Sequence, residues 1–415
     1  MPIDLHAPSR RGLLAASGVL FAWPFLPKLA LAEGRDPRML VIVLRGALDG
    51  LALAAPVGDP DWIALRGDKA LTLDGKTPGL ALDSFFALNP AMPNLHRLYR
   101  AGQALVVHAA ATPYRERSHF DGQDVLESGY AKPGAADSGW LNRAFAAIEP
   151  AARIDPKGTL AVGPVSPLVV RGPAPVLTWT PQRVKPAGED TLLRLIDLYQ
   201  HADPALARVL QGRLGLMRIA SAGGMDAMKL SPLDQTQELG MAQIIAYFAQ
   251  AAGTAAKFMA RPDGPRLGAL AFNGWDTHVD EGAVGGRLGN LLGALDGALA
   301  AIETGMGAAW RETVVALVTE FGRTAKINGT NGTDHGTGTV ALLAGGALKG
   351  GRVIADWPGL KAADLYEARD LKATTDLRAV LKGVLKDHLR LEDHALASAI
   401  FPGSEAVAPM GGLLG

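Results

Sequence analysis

The chain of 415 residues contains no cysteine. Disulfide bonds, thiolate zinc sites, iron–sulfur clusters and cysteine nucleophiles are therefore excluded together. An excess of one charge is missing as well, because 41 lysines and arginines balance 41 aspartates and glutamates. Without a basic excess, we expect the chain to bind neither nucleic acid nor an anionic membrane surface. Any metal site must then be built from oxygen and imidazole ligands.

Long hydrophobic runs are also missing after residue 32, and no repeat or low-complexity tract is present. No later segment is apolar over the length that a membrane-spanning helix requires. What the sequence does have is 48% hydrophobic and 20% charged residues, a balance that allows a sizeable buried core. We therefore expect residues 33–405 to form a single domain.

The first 32 residues differ from the rest of the chain. The motif SRRGLL at residues 9–14 opens an apolar stretch that ends in ALA at residues 30–32, a pattern typical of a cleavable twin-arginine export signal. An uncleaved anchor is the alternative, since residues 13–32 are nearly long enough to span a bilayer, but prolines and a lysine interrupt that stretch. We expect export by the twin-arginine translocase, a periplasmic or secreted location, and no stable membrane span after cleavage.

Short apolar runs alternate with segments of helical spacing along the chain. These alternations predict a three-layer α/β/α sandwich on a mostly parallel central sheet. Residues 155–234 mix prolines with short apolar runs, and we expect them to form a peripheral insert or cap. The predicted strands of the core are Leu40–Leu44, Leu105–Ala109, Arg266–Phe272, Val314–Thr319 and the run TVALLAGG from Thr339.

Polar side chains follow or precede these strands at the points where ligands gather in α/β sheets, beyond the carboxyl ends of the strands. Together they suit a divalent metal, one or two ions, with zinc or manganese favoured and calcium as a third option. The candidate ligands are Asp49, Asp276, His278, Glu320, Asp334 and His335.

Two further residues are candidates for a direct part in catalysis. Ser118 begins a predicted helix, where backbone N–H groups favour a bound anion and where a metal can activate the hydroxyl; an ordinary helix cap is the alternative. Arg323 suits anion recognition through its planar guanidinium, or a structural pairing with Glu320 or Asp334. Asp49 has a structural alternative too, as the cap of a turn.

Seven motifs stand out between about residues 38 and 390: RGALDGL, RSHFDGQDVLESG, GWLNRAF, FNGWDTHVD, TEFGRT, GTDHGTG and TTDLRAVLKGVL. Together they resemble the bacterial family known as domain of unknown function 1501. That family is grouped with the alkaline phosphatase and sulfatase superfamily, so the resemblance implies an alkaline-phosphatase-like fold and metal-assisted hydrolysis of phosphate or sulfate esters.

The resemblance also implies roles for the candidate residues. Asp49 resembles the first metal-binding aspartate of the superfamily, and Ser118 resembles its nucleophile. Asp276 and His278 resemble the pair that holds one ion, and His335 the late histidine that precedes a strand.

The departure from the superfamily lies after the strand that ends at Thr319. Glu320 falls where the superfamily has an Asp-His pair, but Phe321 follows it, so that one imidazole ligand is missing and His119 is expected to supply the nitrogen. Treating Asp334 with His335 as the pair is the alternative, and we prefer Glu320 with His335.

Three functions are compatible with this pattern. The first is a periplasmic metal-dependent hydrolase that acts on a small-molecule or cell-envelope ester, with Ser118 as nucleophile. The second is an exported binding or assembly protein that keeps the fold, and one metal, without turnover. A transferase acting on cell-envelope polymers is the third.

Overall fold

The structure, a computed structural model, describes residues 35–134, 136–148, 158–163, 165–179, 189–222 and 240–415. The predicted export signal lies outside these residues. Pro37–Gly415 form one compact unit; the limits of a domain at 33–405 and a separate insert at 155–234 stay predictions. Within the part of the chain that is described, no helix is both long and apolar enough to cross a membrane.

Two sheets are built from the strands. Each of the five predicted core strands is present, with its bounds shifted by a few residues at most. The strands are β1 (Arg38–Arg45), β2 (Ala54–Ala55), β3 (Leu80–Ala81), β4 (Ala87–Leu88), β5 (Ala104–Ala111), β6 (Thr159–Val162), β7 (Val176–Trp179), β8 (Leu267–Asn273), β9 (Thr313–Val318), β10 (Thr339–Ala344), β11 (Arg352–Ile354) and β12 (Thr375–Asp376).

The helices lie between these strands. They are α1 (Gly50–Leu53), α2 (Trp62–Arg66), α3 (Pro93–Arg100), α4 (His119–Ser128), α5 (Trp140–Ala147), α6 (Glu189–Ala202), α7 (Pro204–Ala222), α8 (Met241–Ala260), α9 (Arg287–Met306), α10 (Leu377–Leu389) and α11 (Asp393–Ala395). Single turns of 3₁₀ helix lie at Gly67–Lys69 and Leu168–Val170, a longer one at Gly307–Glu312, and a π-helical turn at Leu396–Ile400.

The main sheet has nine strands in the described residues, in the order β11-β5-β10-β9-β1-β8-β6-β7, with β12 also pairing with β5. Strands β9, β1, β8, β6 and β7 are mutually parallel. Strand β10 is antiparallel to both of its neighbours, β5 and β9. A small antiparallel sheet joins β2, β4 and β3. The prediction of a mostly parallel central sheet is therefore confirmed.

Both faces of the main sheet are buried. In β1, Leu40 and Ile42 face a hydrophobic cluster that α8 and α9 cover, whereas Met39 and Val41 face a second cluster that α5 and α10 cover. Because a parallel sheet is covered on both sides, its strands are continuously apolar rather than alternating, as the run LVIVL shows. These two clusters make the α/β/α sandwich that the sequence predicts.

Strand direction decides which segments meet at one edge. The carboxyl ends of β5, β8 and β9 share an edge, and β10, which runs the opposite way, begins there. His119 lies on the connection that follows β5, Asp276 follows β8, Glu320 follows β9, and His335 precedes β10. The sheet thus brings four separate parts of the sequence to one place.

His108 lies in the middle of β5 and is fully buried. Its Nε2–H donates to the Ala54 carbonyl at 2.9 Å, and its Nδ1 accepts the Ala109 N–H at 2.8 Å. The ring stacks on Phe86 and meets Trp357 edge-on. These contacts satisfy a neutral ring, and burial lowers the pKa of His108 to about 4.

This buried histidine is expected to make the fold sensitive to acid. Its pKa is about 4 when folded and near the ordinary 6.5 when unfolded, so between these values the unfolded chain takes up a proton that the folded protein does not. Stability is then lost as pH falls through this window, by up to about 3 kcal/mol. Urea unfolding at pH 7 and pH 4.5 should show a smaller acid loss for His108→Gln than for wild type.

The partly exposed His96 on α3 provides the control. His96→Gln should keep the acid loss of the wild-type protein. If wild type and His108→Gln lose the same free energy of unfolding between the two pH values, the explanation from His108 is wrong.

Candidate metal centre

Three imidazoles meet one carboxylate at the edge of the sheet. The Nε2 atoms of His278 and His335 lie 3.0 Å apart, and they lie 3.0 and 3.2 Å from Asp276 Oδ1. His119 Nε2 lies 3.4 Å from Asp276 Oδ2. Ligands of a tetrahedral zinc ion, each about 2.1 Å from it, lie roughly 3.4 Å from one another. The spacing of His119, Asp276 and His335 matches that of a metal site, and His278 lies at ligand spacing from Asp276 and His335.

The other ring nitrogen of each histidine faces an oxygen. An oxygen acceptor fixes the proton on Nδ1, so the lone pair of Nε2 points to the centre, as in histidines that bind metals. The Nδ1 contacts are His119 to Glu320 Oε1 at 2.8 Å, His278 to Asp334 Oδ1 at 3.1 Å, and His335 to the Arg117 carbonyl at 3.0 Å.

His119 shows that the centre favours a cation. Its Nε2 is buried and has no hydrogen-bond partner. The carboxylates of Asp276 and Glu320 raise the pKa of His119 to about 9, although partial burial acts against this. A nitrogen without a partner, held in a negative field, fits a bound metal ion. Among the described residues, ligand atoms of His119, Asp276 and His335 all lie within 4.8 Å of one another.

Asp276 is the shared acceptor of this cluster. Partial burial alone would raise its pKa, but the close contacts with His119, His335 and Arg323 outweigh burial and hold the pKa well below its usual range. The Asp276 carboxylate therefore stays ionised. Its side chain is 42% exposed, and that of His278 is 40% exposed, so the centre is open to solvent on one side.

Arg323 is buried behind Asp276. Its Nη1 donates to Asp276 Oδ1 at 2.7 Å, its Nε donates to Thr333 Oγ1 at 3.1 Å, and its Nη2 donates to the Thr333 carbonyl. Each guanidinium nitrogen thus makes one contact, and 1% of Arg323 is exposed. These contacts fix the position of Asp276, and the ion pair is with Asp276 and not with Glu320 or Asp334 as expected; a part in anion recognition stays a prediction.

Glu320 holds His119 rather than facing the centre itself. Oε1 accepts from the Gly46 N–H and from His119 at 2.8 Å each, and from Gln123 at 3.2 Å. Burial opposes ionisation, but these hydrogen bonds lower the pKa of Glu320. The preferred prediction made Glu320 a direct ligand, but the structure places the His119 ring between the carboxylate and the centre.

Asp334 holds His278, much as Glu320 holds His119. It accepts from His278 at 3.1 Å and from Asn328 at 3.0 Å, and the Asn328 hydrogen bond lowers its pKa. The alternative that made Asp334 a direct ligand is revised in the same way. Both carboxylates orient a histidine.

Phe321 occupies the place where the resemblance leads one to expect a histidine ligand. Its ring stacks on His119 at 5.0 Å between centroids and lies 5.3 Å from His335. Helix α4 packs closely here, since a Cβ on Gly122 would lie 3.0 Å from the Phe321 ring. Phe321 therefore forms an apolar wall that fixes two of the imidazoles.

Ser118 caps the helix that carries His119. Its Oγ accepts from the Asp121 N–H at 3.5 Å, and its own N–H donates to Tyr114 Oη at 3.2 Å. In sequence it lies between Arg117, whose carbonyl contacts His335, and His119 itself. The predicted helix start is confirmed, and the contacts of the hydroxyl are those of an N-cap; its part as nucleophile stays a prediction.

Asp49 does not join the histidines. Its Oδ1 accepts from the backbone N–H groups of Leu51 and Ala52 at 3.0 and 3.1 Å, which caps α1. Arg66 binds both carboxylate oxygens, at 2.6 and 3.2 Å. All of these groups are buried. The structure thus gives Asp49 an ion pair and a cap in place of the expected metal-ligand role, because a guanidinium already supplies the positive charge.

We expect Asp49→Asn to act on stability and not on metal content. The change leaves Arg66 buried without its counter-charge, which costs about 3–5 kcal/mol of unfolding free energy. Urea unfolding and elemental analysis of the purified variant measure the two quantities.

Asp68→Asn is the matched control, because Asp68 pairs with Lys69 at the surface and its side chain is 83% exposed. Removing such an exposed pair should leave the free energy of unfolding close to that of wild type. Loss of metal from Asp49→Asn without loss of stability would return Asp49 to the ligand set.

The sequence pattern did not indicate two residues with close contacts here. Arg117 contributes a backbone carbonyl, a group that no side-chain pattern reveals, and has a positive φ of 61°. Arg66 is 17 residues from Asp49 in a short helix, and no motif marked it. Only the Arg-Ser-His order of residues 117–119 gave a local signal for this region.

The sequence profile described as "Protein of unknown function (DUF1501)" matches residues 101–400. The chain belongs to the DUF1501 family. The DUF1501 match includes His119, Asp276, His278 and His335, whereas Asp49 lies before its first residue. No curated protein matches the chain.

Solved structures similar to this DUF1501 protein include one in the alkaline phosphatase superfamily from Vibrio parahaemolyticus, at 10% identity over 82% of this chain and 70% of that chain, with a TM-score of 0.36. The PsFucS1 sulfatase from Pseudoalteromonas sp. has 13% identity over 83% and 68%, with a TM-score of 0.34. The C-terminal periplasmic domain of EcEptC from Escherichia coli, in complex with Zn, has 11% identity over 75% and 74%, with a TM-score of 0.34.

Proposed function

We propose that this protein is a metal-dependent hydrolase of phosphate or sulfate esters. One observation carries the metal site: three imidazoles, each with Nδ1 held by an oxygen, direct Nε2 towards the same carboxylate, Asp276. Histidines that bind metals are oriented in this way by carboxylates and carbonyls. The proposed ligands are His119, His278, His335 and Asp276.

The ligand set favours zinc or manganese over calcium. Imidazole suits zinc and other transition metals, whereas calcium takes oxygen ligands. We propose a single ion, because Phe321 lies where a further imidazole was expected and Arg66 occupies the Asp49 carboxylate. When bound, such an ion supplies Lewis-acid polarisation of a phosphoryl or sulfuryl oxygen.

The side chains around the centre would divide the remaining work. Glu320 and Asp334 keep His119 and His278 in the tautomer that presents Nε2. Arg323 keeps Asp276 ionised and in place. Ser118, at the start of a ten-residue helix, lies where backbone N–H groups favour an anionic group, and we propose its Oγ as the nucleophile.

We also propose export. Support comes from the SRRGLL motif and the ALA site at residues 30–32, which match a twin-arginine signal. A signal that exports folded protein suits a chain that acquires its ion before export, and its substrate would then be a small or cell-envelope ester outside the cytoplasm.

Metal content tests the centre directly. We expect wild-type protein to bind one zinc or manganese ion per chain, and His119→Ala and His335→Ala to weaken binding by at least about tenfold, since each loses one ligand. Elemental analysis and chelator competition measure the number of ions and their affinity.

His96→Ala, on α3, serves as the control and should bind like wild type. Wild-type protein that binds no transition metal after reconstitution would refute the proposed centre. Equal affinity in wild type and both ligand variants would refute the choice of ligands.

A series at Ser118 separates a nucleophile from a helix cap. Ser118→Asn keeps an N-cap but has no hydroxyl, Ser118→Ala has neither, and Ser118→Thr has both. For a nucleophile, we expect hydrolysis of aryl phosphates or sulfates to fall at least about a thousandfold in the Asn and Ala variants. Only Ser118→Ala should lose stability, by about 1 kcal/mol.

The same series tests the second candidate function, an exported binding or assembly protein without turnover. The observed contacts of Ser118 favour this candidate, because they are those of an ordinary cap. If Ser118→Asn retains the full activity of wild type, Ser118 is not the nucleophile. If wild type binds metal but hydrolyses no ester, the binding protein is favoured.

A further inference from the structure

A second carboxylate, Glu281, is buried behind the proposed metal centre, with 2% of the residue exposed. Its Oε1 accepts from the Thr277 hydroxyl at 2.9 Å, and its Oε2 accepts from the Thr333 hydroxyl at 3.1 Å. These hydrogen bonds go to two threonines from different segments. Glu281 therefore ties two parts of the chain together at one buried point.

Both threonines stand next to residues of the centre. Thr277 lies between Asp276 and His278, and Thr333 precedes Asp334 and lies two residues before His335. Thr277 and Thr333 are almost fully buried, at 1% and 0% exposed, whereas the residues beside them reach the solvent-facing centre. Successive side chains of an extended segment point to opposite sides. Thr277 thus points inward between Asp276 and His278, and Thr333 points inward beside Asp334, which points outward to His278.

The backbones of the two segments also pair directly. Thr333 N–H donates to the Thr277 carbonyl at 3.2 Å, and Glu281 N–H donates to the Asn331 carbonyl at 3.0 Å. A Cβ on Gly332 would lie 2.3 Å from the His278 carbonyl oxygen, so only glycine permits this approach. The threonine hydroxyls on Glu281 complete the pairing on its buried side.

Thr333 also links Glu281 to Arg323. The Thr333 hydroxyl accepts from Arg323 Nε at 3.1 Å and donates to Glu281 Oε2 at 3.1 Å. Because one hydroxyl has a single proton, the Glu281 acceptor fixes its direction and leaves the lone pair for Arg323. Arg323 in turn donates to Asp276 Oδ1 at 2.7 Å. A continuous chain of hydrogen bonds leads from the buried Glu281 to the partly exposed central carboxylate.

The surroundings of Glu281 shift its pKa in opposite directions. Burial, together with the charge of Asp49, raises the pKa of Glu281 to about 7, while Arg66, the Thr277 hydroxyl and Arg323 act to lower it. A buried carboxyl is unfavourable by itself, and an apolar side chain often serves stability better. An apolar side chain, however, cannot accept hydrogen bonds from both threonines.

We propose that Glu281 is a positioning residue for the metal centre. It sets the distance between the segment with Asp276 and His278 and the segment with His335, and it directs Arg323 onto Asp276. The inference rests on the proposed metal centre and goes beyond it, because the hydrogen bonds of Glu281 reach the threonines and none of the four ligands.

The test compares zinc affinity with stability in the full-length protein. Glu281→Gln keeps the size of the side chain but cannot accept on both sides. We expect its affinity for Zn²⁺ to fall about tenfold, the lower end of the loss seen when a direct partner of a ligand is removed, because Glu281 acts through the threonines and Arg323. Chelator competition measures the affinity, and urea unfolding of the metal-free protein measures stability.

Asp296→Asn is the matched control. Asp296 is also buried, at 3% exposed, and it holds the start of α3 through the N–H groups of Asn94 and Leu95. We expect it to lose stability and yet bind Zn²⁺ within about twofold of wild type, because its partners are distant from the centre in the fold. If Glu281 only stabilised the fold, Glu281→Gln would lose stability and keep its Zn²⁺ affinity, as Asp296→Asn is expected to do.

A pair of variants at Thr333 repeats the test without changing a charge. Thr333→Val has the same shape but no hydroxyl, and should weaken Zn²⁺ binding, whereas Thr333→Ser keeps the hydroxyl and should restore it. This pair decides the question if Glu281→Gln does not fold. If both Glu281→Gln and Thr333→Val bind Zn²⁺ with wild-type affinity, the positioning role of Glu281 is wrong, but the proposed metal centre still holds. Wild-type protein that binds no Zn²⁺ would overturn the metal centre, and the part of Glu281 with it.

Discussion

The site depends on the attraction between one ionised carboxylate and the groups directed at it. Asp276 faces the Nε2 atoms of three histidines on its exposed side and the Arg323 guanidinium on its buried side. Nε2 lone pairs and a carboxylate repel one another unless positive charge lies between them, as a bound ion or as a proton on His119, whose pKa is raised to about 9. The ionised Asp276 therefore makes the point where the three segments meet favourable for a cation.

Topology makes this convergence geometrically simple. Parallel strands deliver their carboxyl ends to one edge, and the reversed strand β10 delivers its amino end to the same edge. A histidine before β10 and an aspartate after β8 can then meet although 59 residues separate them. Phe321 and Gly122 set the remaining distances, because helix α4 packs directly on the aromatic ring that supports His119.

Buried positive charge divides the acidic residues into two groups. Arg66 neutralises Asp49, and Arg323 is shared between Asp276 and the Thr333 hydroxyl that Glu281 orients. Asp49, which pairs with Arg66, holds structure, whereas Glu320 and Asp334, each beside an imidazole, orient a histidine. The same residue type thus has different parts, and the partner that each carboxylate meets decides which.

Local pattern was enough for the five core strands, the layers and the start of helix α4. Continuous apolar runs are required wherever a sheet is buried on both faces, and Ser118 caps the helix through a neighbour three residues away. The region of the site and most of its residues also followed from strand ends. The different structural roles of the carboxylates did not follow from the sequence. Each role depends on which group lies at hydrogen-bond distance: Arg66 for Asp49, His119 for Glu320, His278 for Asp334 and two threonines for Glu281. Such distances between segments remote in sequence are set by packing alone, so only the tertiary structure decided them.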